Sequence, residues 1–387
     1  MMILNYLGKR LQRHMREALF SVLTVVVTVL LLLGLYHYRM AQQERLDDVY
    51  EHFEIRCTVT NVSGSRKTEL DIASGYLDLF EEGGTLFPHV KDVFLLRQLS
   101  DAKLLTSSDS GTATGKGISL YMTNDPQASA YLENAVIRYE DGCGSESFRG
   151  DEAVCIVTES LADQIGASGT IRLYSPAGET EARVIGTYLG EKDTVFISWQ
   201  PMAEQLIRKD ISAAANSMSF TVSDNRRLGE VKQLLRDFFV PASYTNKTAN
   251  MHGLIIDDSL FIDTVVVLER NLALMRVVQV MFYVLTVGIS FLVAYLGIRG
   301  RRLELAVMRS MGTRSLAIYT EVLSEHILFF VMGASVACLL GFLLGLSMTQ
   351  SILSTVGVFM ICYLIGVALA VAQATSGQIM QILKGKE

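Results

Sequence analysis

The sequence is poor in the residue types and motifs that mark enzymes and metal sites. Its 387 residues include five cysteines and six histidines, and none of them has the close paired spacing of a zinc site. It contains no G-x-S-x-G nucleophile elbow, no H-E-x-x-H and no pair of acidic residues at a telling spacing. These absences predict a protein that is not an enzyme and holds no cofactor or metal of its own. An active site assembled from distant residues would leave no such local signature.

The stretch 108–119 imitates a phosphate-binding loop but lacks the motif. Ser110 stands where the first glycine is required, and Gly117 stands where Ser or Thr is required. We therefore expect a surface loop there and no ATP bound by this chain.

Hydrophobic residues make up 50% of the chain, which is more than a soluble domain of this length usually needs. The excess is concentrated in four long apolar runs. At about 1.5 Å per residue, each run is long enough to cross a hydrocarbon core of roughly 30 Å. The sequence therefore predicts an α-helical membrane protein with four transmembrane helices, at residues 18–38, 277–298, 326–348 and 353–373.

A cleaved signal peptide is the competing interpretation of the first run. The run is longer than the apolar part of a usual signal peptide, and no A-x-A-like cleavage site follows it. A retained helix is favoured.

Basic residues beside the runs predict the orientation of the chain. They lie in segments 1–17, 299–325 and 374–387. The set comprises Lys9, Arg10, Arg13, Arg16, Arg299, Arg301, Arg302, Arg309, Arg314, Lys384 and Lys386. Because cytoplasmic loops carry the excess of Lys and Arg, these three segments are predicted inside and residues 39–276 outside. No basic stripe is left to bind DNA or RNA, so nucleic acid is excluded as a partner.

Residues 39–276 have the pattern of an extracytoplasmic α+β domain. Short β-branched or alternating runs are punctuated by Gly, Asn, Asp and Ser and are followed by amphipathic helical stretches. We predict two strand-helix-strand units forming one small sheet on two helices, with a β-rich lobe inserted between the units. The units are predicted at strands 53–60, 93–99, 218–222 and 253–256 with helices 69–81 and 228–239, and the lobe at strands 153–157, 170–174, 182–188 and 194–199.

Polar helical patterns at 41–53 and 259–275 run into the first and second apolar runs. No Pro-rich or Gly/Ser-rich linker interrupts them. They predict stiff stalks that could transmit helix movement.

Three cysteines fall in the predicted outer domain: Cys57, Cys143 and Cys155. An odd number leaves at least one thiol unpaired within the chain. The sequence leaves open whether the other two form a disulfide.

The segment after the second run alternates apolar and charged residues at helical spacing. The apolar edge comprises Leu305, Met308 and Ser310-Met311, and it lies beside a charged edge of Arg301, Arg302, Glu304 and Arg309. We expect the second transmembrane helix to continue through this segment until Gly312 ends it. Composition alone favours a basic collar that only fixes orientation in the membrane.

The same segment resembles the signature of the FtsX-like, or MacB-type, permease family of bacterial ABC transporters. That signature is a basic cluster, Glu, small and aliphatic residues, Arg, two residues and Gly. It then reaches a Glu that opens the third span, followed by glycines four or eight residues apart. The matching residues are Arg301, Arg302, Glu304, Arg309, Gly312, Glu325, Gly333 and Gly341, and Ala306 and Ala337 stand where the family often has glycine.

The predicted outer domain carries further parts of the resemblance. Residues 154–162, 169–173 and 184–188 are similar to the run of strand, "ES-L-A", "G-x-x-I-x-L" and "V-x-G-V" of the MacB-type periplasmic core domain. The resemblance therefore covers nearly the whole chain.

The resemblance implies a non-catalytic permease subunit in the bacterial cytoplasmic membrane. It implies that ATP is bound by a separate ABC ATPase dimer, that the permease pairs with a second copy or a paralogue, and that the segment docks on the ATPase through Arg301, Arg302, Glu304, Met308, Arg309 and Gly312. Glu325, Gly333, Gly341 and Gly345 are assigned to helix packing, since small residues at such spacings let membrane helices approach closely. Ordinary glycine frequency in membrane helices is the alternative.

The resemblance leaves two kinds of function open. One is mechanotransmission or export, driven by ATP, of an extracytoplasmic substrate that the sequence does not identify. The other is a membrane-anchored sensor or regulator whose outer domain binds a ligand or a cell-wall enzyme.

The predicted orientation can be tested with alkaline phosphatase fusions, which are active only outside the cytoplasm. We expect activity when the enzyme is fused after Gly150 and none when it is fused after Gly312, because the basic residues keep segment 299–325 inside. Activity in both fusions would contradict the orientation.

Overall fold

Four long helices and one mixed β-sheet account for most of the described chain. The computed structural model describes residues 15–105, 115–132, 135–165, 169–190, 192–241, 252–345 and 350–377. The chain divides into two units: Met1–Asp48 with Thr264–Glu387, here called the helical unit, and Val49–Asp263, called the sheet unit. Most of the stretch 108–119, and the basic residues Lys9, Arg10, Arg13, Lys384 and Lys386, lie outside the described residues.

The regular elements are numbered along the chain. The helices are α1 Met15–His52, α2 Ser74–Leu77, α3 Glu159–Ile165, α4 Trp199–Arg208, α5 Leu228–Phe238, α6 Ser259–Gly300, α7 Arg302–Ser310, α8 Ser315–Leu343 and α9 Gln350–Gly377. The strands are β1 Arg56–Thr60, β2 Val90–Leu99, β3 Lys103–Leu105, β4 Lys116–Gly117, β5 Ser119–Thr123, β6 Ile137–Tyr139, β7 Val154–Thr158, β8 Thr170–Ser175, β9 Gly178–Tyr188, β10 Thr194–Ser198, β11 Ser217–Val222, β12 Val240–Pro241 and β13 Gly253–Ile256.

Among the described residues, four helices are long and apolar enough to cross a membrane, as the sequence predicts. Their candidate spans are Ala18–His52, Ser259–Gly300, Leu316–Leu343 and Ser354–Gln373. The polar stretches predicted as stalks, 41–53 and 259–275, are helical almost throughout and lie on α1 and α6 without a break.

The third apolar helix ends before the predicted boundary at residue 348. Leu344 and Gly345 donate their backbone N–H groups to Leu340 and Phe342, and Gly345 has a φ of +78°. A glycine in the left-handed region just past the last turn is a common helix end, because other residues meet steric strain there. Gly345 thus ends α8 rather than packing it.

A break at Arg301 separates α6 from α7, where the sequence predicts one continuous helix. α6 ends at Gly300 and α7 begins at Arg302. The Arg301 backbone N–H donates to Ile298, three residues back, as in a tight turn rather than an α-helix. The expected continuity is therefore wrong, and α7 is a separate short helix.

The sheet unit contains one hydrogen-bonded path of strands. The order is β12-β13-β1-β11-β2-β5-β10-β7-β9-β8-β3-β4, with β6 beside β9. The pairs β10–β5, β7–β9 and β12–β13 are parallel, and the others are antiparallel. The predicted α+β class agrees with this architecture.

The β-rich lobe predicted between the two strand-helix-strand units is not a separate sheet. Strand β2 is ten residues long, and its first part, from Val90 to Leu96, pairs with β11. Its last part, from Leu96 to Leu99, pairs with β5, which leads into the inserted strands. One long strand therefore belongs to both halves and joins them.

The helix predicted at 69–81 is much shorter. Ile72, which is fully buried, forms an isolated bridge with Ala215, and Leu70 donates its N–H to Asn216. These pairings keep the backbone extended until α2 begins at Ser74, and a 3₁₀ turn, Asp78–Phe80, follows. Pairing with a distant segment here overrides the local helical pattern.

The three cysteines of the sheet unit are free thiols, so none of them forms the disulfide that the sequence left open. Cys57 on β1 and Cys155 on β7 are buried, whereas Cys143 is partly exposed. Burial, with a further contribution from Asp258, raises the pKa of Cys57 to about 12. Burial also raises the pKa of Cys155. Both thiols are therefore protonated at neutral pH.

Alkylation by a maleimide at pH 8 should distinguish these thiols. Only about one in ten thousand Cys57 groups is a thiolate four pH units below its pKa, and the thiolate is the reactive form. We expect rapid modification of Cys143, with Cys57 and Cys155 protected until the domain is unfolded in denaturant. Peptide mapping by mass spectrometry measures each site. Rapid labelling of Cys155 in the native protein would contradict its burial.

Candidate functional site

The residues that match the family signature lie on and around α7, between the second and third apolar helices. Arg301 immediately precedes α7, Glu304 and Met308 lie on it, and Gly312 lies in the turn that follows. The side chains of Arg302 and Arg309 lie outside the described ones.

One face of α7 packs into the helical unit. Leu305 is buried in the same apolar cluster as Ile318 and Val322 of α8, and Met308 packs against that cluster. This shared cluster buries the apolar side of α7 in the helical unit. The predicted apolar edge is thus confirmed at Leu305 and Met308.

The opposite face of α7 is also apolar, and it is exposed. Leu303 is 77% exposed, Val307 55% and Met311 74%. These residues are spaced four apart, so they form one row along the helix and its end. We call them the exposed row. Met311 belongs to the apolar edge predicted from the sequence, but its side chain is exposed rather than packed with Leu305 and Met308.

Gly312 shapes the turn between α7 and α8. Its φ is +89°, and the next residue, Thr313, donates its N–H to the carbonyl of Met308. Because residues with a Cβ rarely adopt this conformation, glycine is favoured there. The predicted end of the helix at Gly312 is confirmed to within two residues.

Arg301 is turned inward and binds two carboxylates. Its Nη1 donates to Glu325 Oε2 at 2.6 Å and its Nη2 to Glu325 Oε1 at 3.4 Å, while Nε donates to Glu304 Oε2 at 3.4 Å. The side chains of Arg301 and Glu325 are 13% and 9% exposed. Burial by itself lowers the pKa of Arg301, but hydrogen bonds and charge from Glu325 and Glu304 more than offset it, so the pKa is raised.

Glu325, which the resemblance places at the opening of the third span, lies well inside α8, the helix that carries this span. That helix begins at Ser315, so Glu325 is almost three turns from its start. Removing one member of a buried ion pair leaves an uncompensated charge, at a cost of about 3–5 kcal/mol. The structure thus gives Glu325 a buried charge partner, Arg301, whereas its assignment to helix packing stays a prediction.

The neighbouring residue, His326, was not identified from the sequence. It is buried, and its Nδ1 lies 3.0 Å from the hydroxyl of Tyr363 on α9. Phe330, one turn further, packs on both Tyr363 and Phe359. Consecutive polar residues at the start of an apolar run were the only signal for this contact in the sequence.

Among the predicted packing glycines, Gly333 makes a close helix approach. A Cβ there would lie 2.7 Å from Val25 Cγ1 and 3.1 Å from the carbonyl oxygen of Val22, so α1 and α8 meet at this point. Gly341 is buried on the same helix. Gly366 of α9 was not predicted from the sequence, and a Cβ there would overlap Ser290 and the carbonyl of Val287 on α6.

Comparison with known proteins gives matches among solved structures. No protein-family model matches the chain, and no curated protein matches it. The periplasmic region of MacB from Actinobacillus actinomycetemcomitans is similar at 14% identity and a TM-score of 0.31, over 56% of this chain and 94% of that structure. The extracellular domain of YknZ, a noncanonic ABC-type transporter from Gram-positive bacteria, is similar at 12% identity and a TM-score of 0.29, over 52% of this chain and 100% of that structure.

Replacing Gly333 with leucine should separate α1 from α8. The new side chain would meet Val25 and the backbone of Val22, and overpacking of this kind typically costs about 1–3 kcal/mol. We expect a fall of several degrees in the unfolding temperature in detergent. Gly357→Leu is the matched control, because a Cβ at Gly357, on α9, would meet no described atom within 4 Å. Equal effects of the two substitutions would contradict the close approach.

Proposed function

We propose that the chain is the permease subunit of an ABC-type machine, in which ATP hydrolysis by a separate ATPase moves an extracytoplasmic domain. The family resemblance of the sequence supports this proposal. The structural observation that carries it is the exposed row on α7. A short, separate helix between two candidate spans presents three large apolar side chains outward.

An exposed row of this kind favours a protein partner. Burying a Leu, Val or Met side chain is worth about 1.5–3 kcal/mol relative to leaving it in water. Anchors at i, i+4 and i+8 along one helix are the pattern with which a helix lies in an apolar groove of another protein. The positive-inside rule assigns α7 to the cytoplasm, the compartment that contains ATP. The partner we propose is therefore an ABC ATPase dimer.

The proposed motion begins when the ATPases close on ATP and push against the exposed row. α7 would pass the force to α8 through Leu305 and the Arg301–Glu325 pair, and to the end of α6 along the backbone at Arg301. α6 continues as one helix of 42 residues, so a tilt at its cytoplasmic end would reach residues near Ser259. In this mechanism the chain itself catalyses nothing, and work is delivered outside the cell.

The remaining partners follow from the same proposal. An ATPase dimer has two docking sites, so the complex needs a second permease copy or a paralogue beside this chain. Membrane lipid surrounds the apolar helices, whose outward side chains include Leu23, Val27 and Leu285. The sheet unit acts on an extracytoplasmic substrate or partner.

The test is co-purification of the full chain with its ABC ATPase, followed by measurement of ATP hydrolysis. We expect Leu303→Asp to abolish binding and stimulation, because it places a carboxylate in the proposed apolar contact. Val307→Asp should have the same effect.

Leu189→Asp is the matched control. Leu189 lies in the sheet unit and is 77% exposed, the same fraction as Leu303. Binding that survives Leu303→Asp, or is lost equally in the control, would overturn docking through the exposed row. Failure of the wild-type chain to bind any ABC ATPase would favour the sensor or regulator.

A further inference from the structure

We infer that Arg301 is an internal positioning residue: with Glu304 and Glu325 it fixes α7 on α8, and it does not touch the ATPase. We call these three residues the Arg301 brace. The functional consequence rests on the proposed docking of α7, whereas the structural role can be tested on this chain alone. The brace assigns to Arg301 a role different from the direct ATPase contact that the sequence resemblance implies.

The geometry of Arg301 leaves little of it for an outside partner. Three of its side-chain nitrogens already donate to carboxylate oxygens: two to Glu325 and one to Glu304. Only 13% of the side chain is exposed. The two remaining N–H groups belong to a side chain that is mostly buried, and a docking protein that drew the guanidinium outward would break the buried pair and leave Glu325 as an uncompensated charge.

The brace lies at the break between α6 and α7. Arg301 is the one residue between α6 and α7, Glu304 is on the first turn of α7, and Glu325 is on α8. A planar guanidinium that donates to both carboxylates fixes the relative orientation of these elements. Leu305 lies buried on the same side. The brace and Leu305 therefore hold the inner face of α7, and the exposed row is left facing outward.

The helix that carries Glu325, α8, is itself held by contacts with α9. His326, next to Glu325, is within hydrogen-bond distance of Tyr363 on α9, and Phe330 packs on Phe359. Successive residues on a helix point in directions about 100° apart, so Glu325 and His326 reach different neighbours. A push on α7 would meet α8 and α9 as one packed group.

Hydrogen–deuterium exchange on the full chain in lipid nanodiscs measures how firmly α7 is held. We expect the amides of Arg302–Ser310 to exchange on the order of tenfold faster in Arg301→Lys and in Glu325→Gln. Lysine lacks the planar guanidinium that donates to both carboxylates, and glutamine lacks the negative charge. The strands of the sheet unit should exchange at the wild-type rate. Arg299→Lys, which changes an exposed arginine on α6 two residues away, should leave α7 unchanged.

A double substitution keeps the inference testable if a single one unfolds the helical unit. Arg301→Met leaves Glu325 buried without its partner, whereas Arg301→Met with Glu325→Leu removes both charges. We expect the double variant to protect α7 better than Arg301→Met alone. The brace is overturned if the effects of Arg301→Met and Glu325→Leu on the exchange rate of α7 simply add in the double variant. It is also overturned if α7 exchanges at the wild-type rate in Arg301→Lys.

The ATPase separates positioning from direct contact. In Arg301→Lys we expect the Kd for the ATPase to stay within about threefold of wild type while the stimulated rate of hydrolysis falls on the order of fivefold. Weak binding like that of Leu303→Asp, with normal exchange at α7, would make Arg301 a direct contact and overturn the inference. If the wild-type chain binds no ATPase, docking fails, and the exchange experiment still decides the brace.

Discussion

The buried ion pair between Arg301 and Glu325 is the contact on which the arrangement of α7 depends. A guanidinium and a carboxylate taken out of water are costly to leave alone and are tolerated when they satisfy each other. Here the pair forms at the break between α6 and α7 and reaches into α8. It thereby ties a short helix, which would be marginal by itself in water, to two long ones.

Close approaches between helix backbones determine how the other helices of the helical unit pack together. Between apolar helices in lipid, packing rather than the hydrophobic effect drives association, so small residues at the contact matter. Gly333 lets α1 lie against α8, and Gly366 lets α9 lie against α6. Aromatic side chains fill the space between α8 and α9, with Phe330 against Phe359 and Tyr363. The resulting frame gives α7 a firm support.

In the sheet unit, one strand has a comparable role. β2 is long enough to pair with β11 at one end and with β5 at the other, sharing Leu96 between the two ladders. The side chain of Asn124 continues the pairing beyond β5, accepting from the Leu95 N–H at 2.9 Å and donating to the Val93 carbonyl. The two halves are thus joined by backbone hydrogen bonds rather than by a linker, as expected for buried strand edges that must be satisfied.

The sequence by itself determined the features that depend on local composition. Hydrophobic runs long enough to span a membrane predicted four helices, alternation predicted most of the strands, and Gly312 predicted the end of α7, because periodicity and a glycine's freedom at positive φ act over a few residues. Only the tertiary structure decided which residues meet across long separations. The pairing of Arg301 with Glu325, the contact of His326 with Tyr363 and the bridge of Ile72 to Ala215 each join distant segments. Local pattern carries no information on such partners, since their energy depends on burial and geometry that exist only once the chain has folded.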